Sequence, residues 1–403
     1  MFARTFVWLL PPCLAISFAA AQSNEDAPVR TGADVLAAGE TGPTLRDRSV
    51  GLISNHTGRT SAGRRTADVL AATAGVRLVA LFSPEHGQDG VLDAKVADTR
   101  DQATGLPVYS LYGETRQPSE TMLQGIDTLV FDIQDIGCRF YTYLSTMRNC
   151  LEVAAQKHLR FVVLDRPNPI GGLRMEGPVL ADTRRDFVGA HRIPVRHGLT
   201  AGELARMIVG EDGLAVDLVV VPCEGWHRAD LWDRTGLPWI NPSPNMRSLT
   251  QALLYPGIGL LEGTNLSVGR GTDTPFEVLA APWCDGVKLA HNLREANLPG
   301  VTFVPVRFTP NASKFRGEEC GGINVVITNW STFEPVRTSI HIAVSLHTLH
   351  ATDWDTGKLD WLLKHEASCA SIKAGEGAEK IVASWRKEID LFRLRRKPFL
   401  LYE

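Results

Sequence analysis

Through the first 220 or so residues, short apolar runs alternate with segments of helical periodicity, and this alternation leaves the chain few architectures. Runs at 49–54, 76–82, 107–109, 128–133, 161–165 and 216–222 read as strands. They are short, rich in Val, Ile and Leu, and bounded by turn residues. Segments at 66–73, 119–124, 143–157 and 201–209 read as helices, with a shorter helical pattern at 33–38. Strand and helix in repeated alternation build a parallel sheet with helices on both faces. The expected class is therefore α/β: a Rossmann-like parallel-sheet domain.

Beyond Tyr255 the pattern changes. Residues 256–282 are rich in Gly, Thr and polar side chains and read as a long functional loop region. Strands at 302–308 and 323–327 follow, then helices at 340–350, near Trp361, and at 378–394. This predicts a Rossmann-like domain over 22–250 and a smaller α+β domain over 251–403.

Residues 1–21 read as a signal peptide. Arg4 precedes an apolar stretch from Phe6 to Ala21, broken by Pro11 and Pro12. Ala19-Ala20-Ala21 offers a small-residue cleavage site before Gln22. The stretch is too short to span a bilayer comfortably. Cys13 follows two prolines rather than the small residues a lipidation site needs. The expectation is a periplasmic or secreted protein with no stable membrane anchor.

The chain carries 42 Lys and Arg against 45 Asp and Glu, and only 393–397 is densely basic. That run reads as a solvated helix face, and nucleic acid is not an expected partner. The six cysteines that remain after cleavage are scattered without a CxxC pair, so zinc is not signalled. No strand leads into GxGxxG, and neither a P-loop nor a GxSxG elbow is present. No metal or cofactor is expected.

In a parallel sheet of this kind ligands gather beyond the carboxyl ends of the strands. The 76–82 run delivers Glu85 and His86 there, side by side, suited to acid/base chemistry. A polar turn with a capping carboxylate is the plainer alternative. Other runs end in Asn55-His56, in Asp132 and Asp135, and in Arg166-Pro167-Asn168. Asp132 and Asp135 read as an acid/base pair or metal ligands, unless one of them pairs with Arg139, which Tyr141 follows closely. Thr200 and Glu203 have capping-box spacing and read as structural, leaving His197 open. Asn245 lies in a proline-fixed loop that is either ligand contact or linker. Glu262, Asn265, Arg270 and Thr272 crowd polar groups among glycines, where backbone can approach a ligand.

The segments GLISNHTG (51–58), LFSPEHG (81–87), FDIQDIGCRFYTY (131–143), LDRPNPIGG (164–172), RHGLTAGELA (196–205), NPSPNM (241–246), LEGTNLSVGRGTDTPFE (261–277) and the final PFLLYE together carry a family signature. In this order the chain resembles the exo-β-N-acetylmuramidase family from about residue 45 to its end. The resemblance implies two domains with a cleft between them. It also implies release of N-acetylmuramic acid from the non-reducing end of peptidoglycan fragments, with muramic acid saccharides as partners. It makes Glu85 the catalytic carboxylate and places His86 and the other strand-end groups in the sugar pocket. Asp132 or Asp135 is the candidate second group. Arg139, Arg166 or Arg270 is the candidate clamp for the lactyl carboxylate. A cell-wall amidase or esterase, or a non-catalytic sugar-binding protein, is the alternative on such a scaffold.

Overall fold

The computed structural model describes residues 28–40, 44–90 and 97–403, so the expected signal peptide lies outside the described residues. The main sheet contains β1 (Arg48–Ser54), β2 (Val76–Ser83), β3 (Thr99–Arg100), β4 (Pro107–Ser110), β5 (Thr128–Asp132), β6 (Arg160–Leu164) and β7 (Asp217–Val221). Their order is β3-β4-β2-β1-β5-β6-β7. All neighbours run parallel except the short edge pair β3 and β4.

The apolar strands serve two cores at once. Leu129, Phe131, Phe161 and Val163 face one core, shared with α3 (Tyr143–Gln156) and α4 (Ala201–Asp212). Val130, Val162 and Leu164 alternate to the other, covered by α1 (Gly32–Ala37) and α2 (Thr66–Ala72). A strand buried on both faces has no polar side to show, which is why these runs are continuously apolar. From β1 the chain builds outward to β2 and β4, then returns to place β5 on the other side of β1. The carboxyl ends of β1 and β5 therefore flank the switch point where such sheets bind ligands.

A second sheet, order β8-β10-β9, is antiparallel: β8 (Val278–Ala281), β9 (Val301–Phe308) and β10 (Cys320–Ile327). It packs with α5 (Leu249–Ile258), α6 (Gly286–Glu295) and α7 (Pro335–Leu349). Four further helices follow: α8 (Asp360–Leu363), α9 (Glu366–Lys373), α10 (Ala378–Ser384) and α11 (Arg386–Arg396). One apolar cluster runs through both parts, from Phe131 and Phe140 to Tyr255, Phe276 and Ile340.

The capping box is present as read: Thr200 Oγ1 accepts from Glu203 N at 3.2 Å and Glu203 Oε2 from Thr200 N at 3.1 Å. Elsewhere the structure departs from expectation. Residues 120–125 form turns rather than a helix. The expected long loop at 256–282 holds the end of α5, a 3-10 turn at Gly259–Gly263 and β8. Pro256 sits in the last turn of α5, whose residues are almost all buried, so packing overrides the local proline signal. The helix expected over 378–394 is two helices, divided at Trp385.

The basic run is solvated only in part: Arg393 and Lys397 are exposed, but the arginines between them are not. Arg396 is buried and donates to Gly172 O and Gly198 O at 3.0 and 2.7 Å, and Arg395 pairs with Glu211 at 2.9 Å. The tail beyond it docks beside β6. Tyr402 OH donates to Asp165 Oδ2 at 2.6 Å and accepts from Cys223 N at 2.9 Å, while Leu401 N donates to Glu203 Oε1 at 2.8 Å. The six cysteines among the described residues are buried free thiols. Among the described residues no helix is long and apolar enough to cross a membrane.

Candidate active site

Pro84 ends β2 and turns the chain, so Glu85 leaves the sheet at its carboxyl edge. His86 follows at φ 69° and Gly87 at φ 74°. A histidine in the left-handed region costs of order 1–3 kcal/mol, and such strain gathers at functional sites. Glu85 is half-buried, and Thr142 donates its hydroxyl to Oε2. Thr142 is the N-cap of α3, whose amino end favours negative charge. Oε1 of Glu85 takes no hydrogen bond from the described residues.

Tyr141 and Tyr143 stand beside this carboxylate, their rings edge to face with centroids 5.0 Å apart. Burial pushes both phenols well above their usual range. Tyr143 OH donates to Pro242 O at 2.5 Å, and His56 Nε2 bonds Asn241 O at 2.7 Å. The end of β1 and the start of α3 thus hold the 241–246 loop at Asn241 and Pro242, with Asn245 half-buried within it. Because a carbonyl only accepts, Nε2 of His56 carries the proton. Burial lowers the pKa of His56, and its Nδ1 is left as a buried acceptor with no protein partner.

At the switch point Asn55 Oδ1 accepts from Thr57 N and Oγ1 at 3.0 and 2.6 Å, and Thr57 Oγ1 accepts from Gln134 N at 3.0 Å. The ends of β1 and β5 are therefore laced together. Asn55 Nδ2, Ser83 Oγ, Gln134 Oε1 and Asp135 Oδ1 are buried polar atoms here with no hydrogen-bond partner among the described residues. Leaving such atoms unpaired costs about 1–3 kcal/mol each, so they mark a place built for a polar ligand.

The two aspartates have opposite situations. Asp132 is fully buried and accepts from Arg166 Nε at 2.5 Å, Arg166 Nη2 at 3.0 Å and Thr66 Oγ1 at 2.5 Å. Both of its oxygens are taken, which differs from the expectation of a reacting group. Asp135 Oδ2 accepts only from Gly137 N, at 2.7 Å, and stands 3.8 Å from His197 Nε2. Burial pushes the Asp135 carboxyl up to about 7 and the His197 imidazole down to about 3. His197 Nδ1 accepts from Leu199 N at 3.1 Å, so the neutral ring turns its Nε2–H toward Asp135.

The structure commits the three arginines expected to clamp a carboxylate elsewhere. Arg139 is buried and donates to Pro178 O, Ile193 O, Leu362 O and Leu363 O, tying α8 to the main domain. It therefore pairs with neither aspartate, and burial lowers it to about 10. Arg166 belongs to Asp132 and to Arg59 O at 2.7 Å. Arg270 forms an ion pair with Glu262 and lies 5.2 Å over the Phe276 ring. Asn168 braces its own loop, with Nδ2 donating to Leu199 O at 2.9 Å and Oδ1 accepting from Ile170 N at 3.1 Å. Asn265 binds the backbone of Asp353 and Asp355, and Thr272 Oγ1 closes a turn on Gly269 O. Glu262, Asn265, Arg270 and Thr272 thus secure a loop, which is linked to Tyr141 by the ring chain Phe276–Tyr255–Tyr141.

Glu85, His86, Asn55, His56, Asp135 and Tyr141 come together at the carboxyl edge, and Asn245 lies in the loop that His56 and Tyr143 hold. Thr142, Tyr143, Ser83 and Gln134 join them, and none of the four was among the expected site residues. Thr142 and Tyr143 were legible as the start of a helix directly after the 131–141 segment. Among the described residues no three His, Cys, Asp or Glu side chains group as a metal centre would.

Comparison with known proteins places the chain in a family and matches its fold. Residues 50–250 match the family model for the N-terminal domain of exo-β-N-acetylmuramidase NamZ, and residues 253–402 match the model for its C-terminal domain. The chain is 40% identical over 386 residues to the peptidoglycan β-N-acetylmuramidase NamZ of Bacillus subtilis, covering 94% of this chain and 93% of that one. Two solved structures from Bacteroides fragilis, both titled DUF1343 family proteins, share the fold. One superposes with TM-score 0.87 at 38% identity, covering 93% of this chain and 99% of the other. The second gives 0.74 at 31% identity, covering 94% and 99%.

Proposed function

Because the chain belongs to the exo-β-N-acetylmuramidase NamZ family over both of its domains, we infer that it is a glycosidase that releases N-acetylmuramic acid from the non-reducing end of peptidoglycan fragments. The observation that carries the reading is Glu85, a carboxyl group at a strand end with one oxygen held by Thr142 and the other open to a ligand. Glycoside hydrolysis needs a carboxylic acid that gives its proton to the leaving oxygen as the C–O bond breaks. Glu85 supplies that proton from Oε1. As the carboxylate forms, the Thr142 hydroxyl and the amino end of α3 stabilise its charge, which is where a fixed dipole lowers a barrier.

Asp135 serves as the second carboxyl group, since Asp132 has no oxygen to offer. With its proton held to about pH 7, Asp135 suits a hydrogen bond to the 2-acetamido group better than activation of water. Asn55, His56 and Ser83 contribute the remaining polar contacts, and Tyr141 and Tyr143 wall the sugar from solvent. Arg4, the apolar stretch 6–21 and Ala19-Ala20-Ala21 support export, where an exo-acting enzyme would trim wall fragments during turnover. A mature protein beginning at Gln22 in the exported fraction is the expected product.

The test is digestion of defined peptidoglycan oligosaccharides with mass-spectrometric product analysis. Free N-acetylmuramic acid, and a remainder shortened by that one unit at its non-reducing end, is the expected result. Release of peptide or acyl groups instead would favour the amidase or esterase reading.

A further inference from the structure

N-Acetylmuramic acid differs from N-acetylglucosamine by a lactyl ether ending in a carboxylate. Recognising it calls for a cation whose donors are not already spent. Arg139, Arg166 and Arg270 turn most of theirs to carbonyls and carboxylates.

Arg116 does not. Its guanidinium carbon lies 4.0 Å from the centroid of the Phe187 ring and 5.7 Å from that of Tyr112, and the two rings stand 6.0 Å apart. Its side chain forms no hydrogen bond or ion pair with the described residues, although its backbone oxygen accepts from Asn149 Nδ2 at 2.9 Å. A guanidinium held over an aromatic face by cation–π attraction keeps its fork of N–H donors available to a carboxylate.

The platform belongs to the elements that hold Glu85. Ser83 of β2 and Ser110 of β4 are paired in register, and Leu111 N donates to Ser83 O at 2.8 Å. Glu85 and Tyr112 each leave the sheet two residues further on, from strands that lie about 4.8 Å apart. Asn149, which fixes the backbone of Arg116, is on α3, and Thr142 at the start of α3 holds the Glu85 carboxylate.

Building on the muramidase reading, we propose that Arg116, carried on Phe187 beside Tyr112, receives the lactyl carboxylate and so sets the preference for muramic acid over N-acetylglucosamine. The paired carboxylate–guanidinium contact is worth about 10- to 100-fold in affinity. Arg116→Lys keeps the charge without the fork, and Phe187→Leu keeps the fork without its platform. Each falls between the wild type and Arg116→Gln.

The experiment measures binding of free N-acetylmuramic acid, its lactyl methylamide and N-acetylglucosamine by calorimetry, alongside kcat/KM on the chromogenic muramic acid glycoside. Arg116→Gln should weaken the acid by that factor, leave the amide and N-acetylglucosamine unchanged, and raise KM more than it lowers kcat. Equal losses for all three ligands, or wild-type binding that ignores capping of the lactyl group, would overturn the proposal. So would Arg116 dependence seen only with stem-bearing fragments, which would assign the cation to peptide carboxylates instead. A wild type that binds the acid through Arg116 yet releases no sugar would count against the hydrolase reading while leaving this one standing.

Discussion

Replacing Asp132 by Asn keeps the shape of the side chain and removes its charge. In the native protein that charge faces Arg166 through two hydrogen bonds of 2.5 and 3.0 Å, and Thr66 adds a third of 2.5 Å. The Asp132 side chain is fully buried and that of Arg166 only 7% exposed, so solvent screens the pair little. The substitution strands the Arg166 guanidinium without its counter-charge. Breaking one side of such a buried pair costs about 3–5 kcal/mol. Domains of ordinary stability have about 5–15 kcal/mol in total, so the variant should remain folded with most of its margin gone. Guanidinium denaturation followed by tryptophan fluorescence reads this as a lower midpoint at unchanged slope. Because both oxygens of Asp132 are committed, activity per folded molecule should stay within about threefold of wild type. A loss of stability below about 1 kcal/mol would refute the argument that the pair is architectural. A fully stable variant with turnover abolished would place Asp132 in the chemistry and overturn the assignment of Asp135.

Asp135→Asn should behave in the opposite way. Burial holds the Asp135 carboxyl at about 7 against an ordinary 3.8, so the unfolded chain releases this proton first and native stability falls as pH rises from about 4 to 7. The amide should therefore be more stable than wild type at pH 8 by a few kcal/mol, with the gain vanishing near pH 4, while turnover drops at least tenfold. Equal pH–stability curves for the two proteins would contradict the burial argument. His86→Gly relieves a left-handed histidine but gives up the side chain's contact and loosens the unfolded chain, so stability should move by less than about 1 kcal/mol while kcat falls, as paired melting and kinetic runs would show. Tyr402→Phe removes the hydroxyl that joins Asp165 to Cys223 N and should cost about 1–3 kcal/mol without changing KM. A midpoint shift near zero would mean that the docked tail contributes little.

Much of this could be read before any coordinates. The two-sided burial of β5 and β6 leaves continuous apolar runs, and the Thr200–Glu203 box follows from spacing alone. Glu85 was legible because a strand that ends in Pro must release whatever comes next at the sheet edge. What sequence could not separate was Asp132 from Asp135. They lie three residues apart, and only the return of β6 decides that Arg166 meets the first. The same holds for Arg139, whose partners come from residues 178, 193, 362 and 363. Long-range pairing also hid the roles of Arg396 and Tyr402, since a basic run at a chain end reads as solvated until its carbonyl partners are placed. The expected loop at 256–282 holds for 264–277 but not for its ends, because buried surface, which local composition does not report, holds Pro256 within a helix.

The central claim is that Glu85 carries out glycoside cleavage on a muramic acid sugar. It is tested most directly by release of para-nitrophenol from para-nitrophenyl β-N-acetylmuramic acid, with wild type and Glu85→Gln compared at matched near-UV circular dichroism. The account predicts turnover by the wild type and a loss of at least about a hundredfold in kcat for the amide, with the fold intact. Turnover retained by Glu85→Gln, or none by a folded wild type, would contradict it.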